Sequence, residues 1–371
     1  MADPLLMSPA LPPQMPRLIP ALPDDLAILC IARVPQYYHP CLAAVSRSWR
    51  SALRSPLLFA IRLEVDAAQP FLLINVRTPT DQSRWYLLDR LRQSPAASLL
   101  PLRSPPLPTA LGSAVVALGP TLFLLGGSIH GIPSSAVQIF DARFNRWRLG
   151  PPMSSAREFA AAGAICGRIY AVGGCLPVND YWAEEFESDT ERWRRVPSPP
   201  EIREKWMHGN AVINGKLLAV ADRGGLIYDP AAAMDVEQEK AWGPLPTALD
   251  LGWRGRAAVV GGVLYSYDFL GKIKGYDLAY DDWMPVDGVD KELPKFLHGA
   301  TLANFGDLLC LVWEGRQSGR VRSKEMEIAC AGIRISRTRT GGLQGSVEWS
   351  ESVVLAIPKG SSIAHCISLE F

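Results

Sequence analysis

The sequence predicts a small helical module followed by a large all-β domain assembled from repeated units of about four short strands. Three observations lead there. Two apolar runs at three- and four-residue spacing precede residue 60, and a short apolar pair behind a turn glycine recurs five times between residues 119 and 309. The 371 residues also include 31 glycines and 31 prolines, a supply suited to many short strands joined by turns.

Residues 1–17 are proline-rich and poor in pattern, and are expected to form a flexible tail. At Leu22-Pro23-Asp24-Asp25 a proline and two acids fall in a first helical turn, where a missing N–H costs little and negative charge suits the helix dipole. Leu26, Leu29, Cys30 and Arg33 follow at helical spacing, Ile31 and Val34 widen the apolar face, and Pro35 stops the run. A second run opens at His39-Pro40 and carries Leu42, Val45, Trp49 and Leu53 until Ser55-Pro56 ends it, giving two or three short helices over residues 18–60. About forty residues cannot bury so many large apolar groups among themselves. Part of this face therefore meets another surface, and pattern alone leaves open whether that is a partner protein or the rest of the chain.

Leu22-Pro23-Asp24-Asp25-Leu26, Ile31, Val34-Pro35, the block Leu42–Arg50 (with Val45-Ser46 and Trp49-Arg50) and Ser55-Pro56 together resemble an F-box over about 40 positions. The resemblance implies docking on a Skp-type adaptor and through it on a cullin scaffold. Carried over by position, the adaptor-binding residues are Leu22, Pro23, Leu26, Ile31, Leu42, Val45 and Trp49, with Leu29, Cys30 and Leu53 as the alternative internal set.

The repeat is carried by the pairs Leu122-Phe123, Ile169-Tyr170, Leu217-Leu218, Leu264-Tyr265 and Leu308-Leu309, whose second members are 47, 48, 47 and 44 residues apart. A double glycine ends the strand in the first two, Gly126-Gly127 and Gly173-Gly174, and Gly224-Gly225 lies slightly later in the third. Downstream come Phe140-Asp141, Phe186-Glu187, Tyr228-Asp229 and Tyr276-Asp277, followed by Trp147, Trp193, Trp242 and Trp283. The third of these tryptophans is delayed by an insertion over residues 231–241.

Double glycine, aromatic and tryptophan at a period in the forties resemble the kelch repeat of β-propellers over residues 70–371. The fourth and fifth repeats depart from the pattern, with Asp268-Phe269 and Trp313-Glu314 where the double glycine would stand. Strands at Phe71–Val76 and Arg84–Leu88, before the first full repeat, would join Ser362–Phe371 in one more blade, since a free edge strand invites association. The expectation is a six-bladed propeller closed by both chain ends, with glycines allowing close backbone approach and tryptophans filling space between blades.

Strand alternation puts the loops between second and third strands on the same face as the inter-blade segments. Those segments are Ala156–Phe159, Lys205–His208, Trp253–Arg256 and Lys295–His298. Aromatics beside cations recur there, as at interface hot spots, which makes Arg157, Trp206, Arg254, Arg256 and Phe296 the candidate target-binding residues. The same aromatics also read as blade filler and the cations as ordinary surface.

Bulk properties exclude several classes. Thirty-eight basic against 37 acidic side chains leave no global field for nucleic acid or an anionic membrane. The seven cysteines are odd in number, widely spaced and free of any Cys-x-x-Cys pair, which favours a reducing compartment over a disulfide framework or zinc site. The start lacks the features of a signal peptide, so cytoplasm or nucleus is expected. His208 and His298 occupy similar repeat positions, but no third ligand joins them, so no metal and no cofactor is expected. No nucleophile elbow, phosphate loop or HExxH helix appears, and a non-catalytic protein follows.

The combination, with Leu18-Ile19-Pro20 as lead-in, is most similar to the plant F-box/kelch family. That resemblance implies a substrate receptor of a Skp–cullin–F-box ubiquitin ligase, presenting a target for ubiquitination and proteasomal degradation. A non-degradative interaction scaffold and a metal-dependent propeller enzyme are the alternatives.

Overall fold

A computed structural model describes residues 17–80, 82–89, 98–108, 110–222, 224–234, 241–253, 255–268, 271–315 and 325–371. Its contacts divide the chain into one unit ending at Gln69, which also takes in Phe371, and a second unit, Pro70–Glu370.

The first unit contains α1 (Asp24–Ala32), a 3₁₀ turn (Gln36–Tyr38), α2 (His39–Val45), α3 (Arg47–Ala52) and α4 (Pro56–Glu64). Asp24 and Asp25 lie in the first turn of α1, Pro40 in that of α2 and Pro56 in that of α4. The serine of Ser55-Pro56 caps α4, its Oγ accepting from the Leu57 N–H at 3.2 Å, so the dipeptide that follows the end of the second helical run also begins another helix. Ser46 Oγ accepts from the Trp49 N–H at 3.1 Å and starts α3 in the same way.

A core of Ile31, Ala32, Leu53 and Leu58, with Leu42, Trp49 and Ile61 packed on it, holds the helices together. Arg62 is completely buried among carbonyls rather than carboxylates. Its guanidinium donates to Ala32 O and Val34 O, both at 2.8 Å, and to Ala67 O at 2.6 Å, which ties the C-terminal end of α1 to the segment after α4. Loss of solvent holds the pKa of Arg62 below the usual guanidinium value.

The second unit is all-β apart from short helical turns. Four-stranded antiparallel sheets begin at the strands Ala114–Leu118, Ala161–Ile165 and Met207–Ile213, each running in chain order from innermost to outermost strand. Another four-stranded sheet carries Ser362–Glu370 beside Pro70–Arg77, Ser83–Asp89 and Ser98–Pro101, so the last strand of the chain pairs antiparallel with the first of this unit, Ile74 facing Cys366. An eight-stranded sheet starts at Ala257–Val260 and ends at His298–Phe305. Among the described residues its halves are joined in one ladder only where Val286 and Asp287 pair in parallel with Leu343 and Gln344, while their faces share an apolar core. The innermost strands contact one another in a closed cycle from Ala114–Leu118 through Ala161–Ile165, Met207–Ile213, Ala257–Val260, His298–Phe305 and Ser362–Glu370 back to the first.

Apolar layers lie between neighbouring sheets. Val116, Phe123 and Ile139 of one sheet pack with Ala162, Ile169 and Phe186 of the next, and Leu72, Ile74 and Tyr86 pack with Cys310, Val312 and Ile328. The double glycines sit where a sheet's second strand ends and the segment Arg157–Ala160, which leads into the sheet of Ala161–Ile165, passes close by. A Cβ on Gly126 (φ 59°) would lie 2.3 Å from Arg157 O, and one on Gly174 (φ 73°) 2.3 Å from Glu158 O.

The four repeat tryptophans occupy outermost strands and are half-buried, not wholly enclosed between blades. Each faces the aromatic of the third strand directly across the ladder: Phe140 and Trp147, Phe186 and Trp193, Tyr228 and Trp242, Tyr276 and Trp283. Ring centroids are 4.9, 5.1, 4.5 and 5.4 Å apart. Each indole N–H then crosses to a carbonyl in the segment leaving the preceding sheet: Arg103 (2.8 Å), Pro151 (3.0 Å), Pro197 (2.8 Å) and Ala248 (2.9 Å). In the fifth repeat the third and fourth strands are a long hairpin, Glu325–Arg337 with Leu343–Pro358, and Trp349 lies across the ladder from Gly332 rather than from an aromatic.

Trp193→Ala should lower the unfolding free energy by about 2–3 kcal/mol in urea titration, less than full burial would give. Trp193→Phe, which keeps the ring contact and loses only the N–H bond to Pro151, should cost about 1 kcal/mol.

Candidate functional site

The helical unit leaves several large apolar side chains in solvent. Leu26 is 46% exposed, Val45 62%, Leu57 57% and Leu63 54%, with Tyr37 and Tyr38 at 41% each. Cys41 and Val45 are exposed one turn apart on α2, while Leu42 between them turns to the core. Of the residues read as adaptor-binding, Leu26, Val45 and Pro23 are exposed, and Leu22, Leu42 and Trp49 are half-buried. Ile31 is 2% exposed and belongs to the unit's own core, because its position on α1 faces Leu53 and Leu58. Of the alternative internal set, Leu53 is buried, Leu29 half-buried and Cys30 exposed. Trp49 is also held from within the unit, its indole N–H donating to Leu18 O at 2.5 Å.

The innermost strands of the β unit enclose a cavity of about 1080 Å³. Its wall includes Arg77, Phe159, Arg256, Phe296, Glu314 and His365. Phe159 is 45% exposed although its φ is 53°, a backbone region unfavourable for a bulky residue. The bond from Phe159 N–H to Gly112 O at 2.7 Å holds it there, and the ring lies so close over Gly112 that a Cβ on that glycine would be 2.9 Å from it.

Five residues were expected to touch a target. Trp206 and Phe296 are 57% and 54% exposed, the latter with the Lys295 ammonium 5.9 Å from its ring centroid. Arg256 is exposed and opens on the cavity. Arg254 lies outside the described residues, as do residues 316–324 of the basic stretch that ends at Arg339.

Arg157 corrects the expectation. It is completely buried. Its guanidinium donates to Gly173 O (2.7 Å), Trp182 O (3.0 Å), Tyr181 O (2.8 Å) and Glu184 Oε1 (2.5 Å). Glu184, equally buried, also accepts from the backbone N–H groups of Ser154 (2.7 Å) and Ser155 (3.1 Å). Arg157 is therefore an internal strut: no partner can reach it without opening the sheet. Lys205 serves similarly one repeat on, donating to Gly224 O at 2.7 Å.

Sequence reasoning missed Arg77, Phe159, Glu314 and His365. Two of them left a signal, since Arg77 and Glu314 are single charges ending otherwise apolar strands, Phe71–Val76 and Leu308–Trp313. His208 and His298 both line the cavity and are exposed, but among the described residues no three His, Cys, Asp or Glu side chains come together as metal ligands would. All seven cysteines are free, and no described helix is long and apolar enough to cross a membrane.

Residues 19–60 match the family model for the F-box domain, and residues 78–354 match the one described as FKB95, Kelch-repeats domain. Similar proteins of Arabidopsis thaliana include F-box/kelch-repeat protein At4g39550, 30% identical with 96% of this chain and 95% of the relative covered. F-box/kelch-repeat protein At4g39580 is 29% identical, covering 94% and 92%, and At4g39240 is 27% identical, covering 94% and 90%.

Removing one member of the buried pair strands the other charge without solvent. Arg157→Ala or Glu184→Ala should therefore each cost about 3–5 kcal/mol in chemical denaturation, and the double variant clearly less than the sum of the two.

Proposed function

From the premise that the chain belongs to the F-box/kelch-repeat family, we propose that it is the substrate-recognition subunit of a Skp–cullin–F-box ubiquitin ligase. The helical unit docks on a Skp-type adaptor and the β unit holds a target protein for ubiquitination and proteasomal degradation. The observation that carries this reading is the set of apolar side chains left in water on the helical unit, Leu26 and Val45 foremost. A unit this small gains by covering them with a second polypeptide. Leu22 and Pro23 frame the start of α1 on the same reading, and Leu42 and Trp49 contribute their exposed edges.

The β unit is read as six blades. What supports that number is the closed cycle of innermost strands, with the eight-stranded sheet divided at its two-residue parallel bridge. Trp206, Arg256 and Phe296 remain the candidate target contacts, joined by Phe159. The receptor adds no chemistry of its own: tethering a target near a cullin-bound conjugating enzyme raises the effective concentration of ubiquitin around it.

Leu26→Asp combined with Val45→Asp should abolish co-purification of the adaptor while the melting of the β unit is unchanged, and Leu22→Ala with Pro23→Ala should weaken it in the same direction. Adaptor recovery at the level of the unaltered chain would defeat the assignment. Degradation is tested separately, by target half-life with and without a cullin inhibitor once a target is in hand.

A further inference from the structure

Arg77 and Arg256 both open on the cavity inside the innermost strands, and neither guanidinium makes a hydrogen bond or ion pair among the described residues. This is unusual for two arginines on one wall, since a guanidinium brings five donors and a permanent charge that structures ordinarily satisfy. Their placement follows from the fold. Arg77 ends the strand Pro70–Arg77, paired there with Ser362, and Arg256 immediately precedes the innermost strand Ala257–Val260.

The surroundings neutralise them only in part. Two acids line the cavity. Asp268 is committed to Lys274, Oδ2 to Nζ at 2.9 Å, and to the Lys272 N–H at 2.9 Å. Glu314 forms no ion pair among the described residues. His365 adds no cation: burial, with Arg256 and Arg77 repelling a further charge, pulls its pKa down to about 3, so its ring is neutral at physiological pH. That ring is stacked on Trp85, centroids 6.4 Å apart and planes 9° from parallel, which fixes it against the wall. Arg256 itself is held below the ordinary guanidinium pKa by its partial desolvation, an effect that Cys366 and the Glu314 carboxylate oppose and the charge of Arg77 reinforces. The two cations thus share the lining of one cavity with a single carboxylate, Glu314, that forms no ion pair among the described residues.

We propose that this pair is a receiving site for an acidic side chain of the target polypeptide, a carboxylate seated between Arg77 and Arg256 while flanking apolar residues rest on Phe159 and Phe296 at the rim. Charge complementarity selects the anion. The exposed aromatics favour a peptide over a free ion, which could not use them. Glu314 occupies the same wall as a competitor whose field opposes the incoming carboxylate and limits how tightly a weakly acidic segment can hold. The inference rests on the receptor reading of the β unit.

The test uses the full chain bound to its adaptor and a phage-displayed random dodecapeptide library. Selected peptides should be enriched in Asp and Glu. Arg77→Gln with Arg256→Gln should lower their affinity at least about tenfold. Glu314→Gln should raise it a few-fold, a gain that a misfolded variant could not give. Peptides without acidic enrichment, or peptides bound equally by the double variant, would overturn the inference and leave the receptor reading standing. Displacement of the peptides by inorganic phosphate at matched concentration would also overturn it, in favour of a small-anion site. Recovery of no peptide of any composition, with the adaptor still co-purifying, would instead count against the receptor reading and remove the ground of the inference.

Discussion

The β unit depends on a pairing between its two ends. Pro70–Arg77 and Ser362–Glu370 form an antiparallel ladder whose outer neighbours, Ser83–Asp89 and Ser98–Pro101, come from the N-terminal side alone. Ser362–Glu370 also contacts both Ala114–Leu118 and His298–Phe305, so the cycle of innermost strands closes through the final residues of the unit. Without that strand, Pro70–Arg77 would present an open edge and the apolar layer of Leu72, Ile74 and Val76 would lose one wall. The entropic cost of joining such distant segments grows only slowly with the length of chain between them.

Closure also explains where polar groups can lie. Between sheets the layers are apolar, and the buried charges described there meet opposite charge and backbone groups, as Arg157 does with Glu184 and Glu184 with the serine N–H groups. Inside the cycle the innermost strands face an open space, and Arg77, Arg256 and Glu314 line it without an ion pair among the described residues. One sequence thus uses arginine in two opposite ways: as an internal strut where carbonyls and a carboxylate converge on it, and as an open donor where they do not. Arg62 of the helical unit is a third case, its terminal nitrogens donating to three backbone carbonyls and to no acid.

The repeat was legible because it is carried by residues whose reasons are local. Glycines at Gly126 and Gly174 answer to backbone crossing, and an aromatic across from a tryptophan answers to pairing register, so both recur at fixed spacing. The strands that close the unit were visible as apolar runs at both ends of the repeats. The fifth repeat was less legible because its third and fourth strands form a long hairpin in which a glycine, Gly332, stands across from Trp349 where the other repeats have an aromatic. Burial was the hardest property to read. Arg157 looked like an exposed interface cation because sequence spacing says nothing about the Glu184 that meets it from another strand. Ile31 and Val45 looked alike on an apolar helical face, and only packing distinguishes the core residue from the exposed one.

Closure by the final strand is tested most directly by native-state hydrogen exchange, comparing the amides of Ile363–Leu369 with those of Ala161–Ile165 across a series of urea concentrations below the unfolding transition. The account predicts that the two groups exchange with the same free energy and the same urea dependence, as parts of one cooperative ring. Exchange of Ile363–Leu369 at the rate of a frayed terminus, with Ala161–Ile165 still protected, would contradict it.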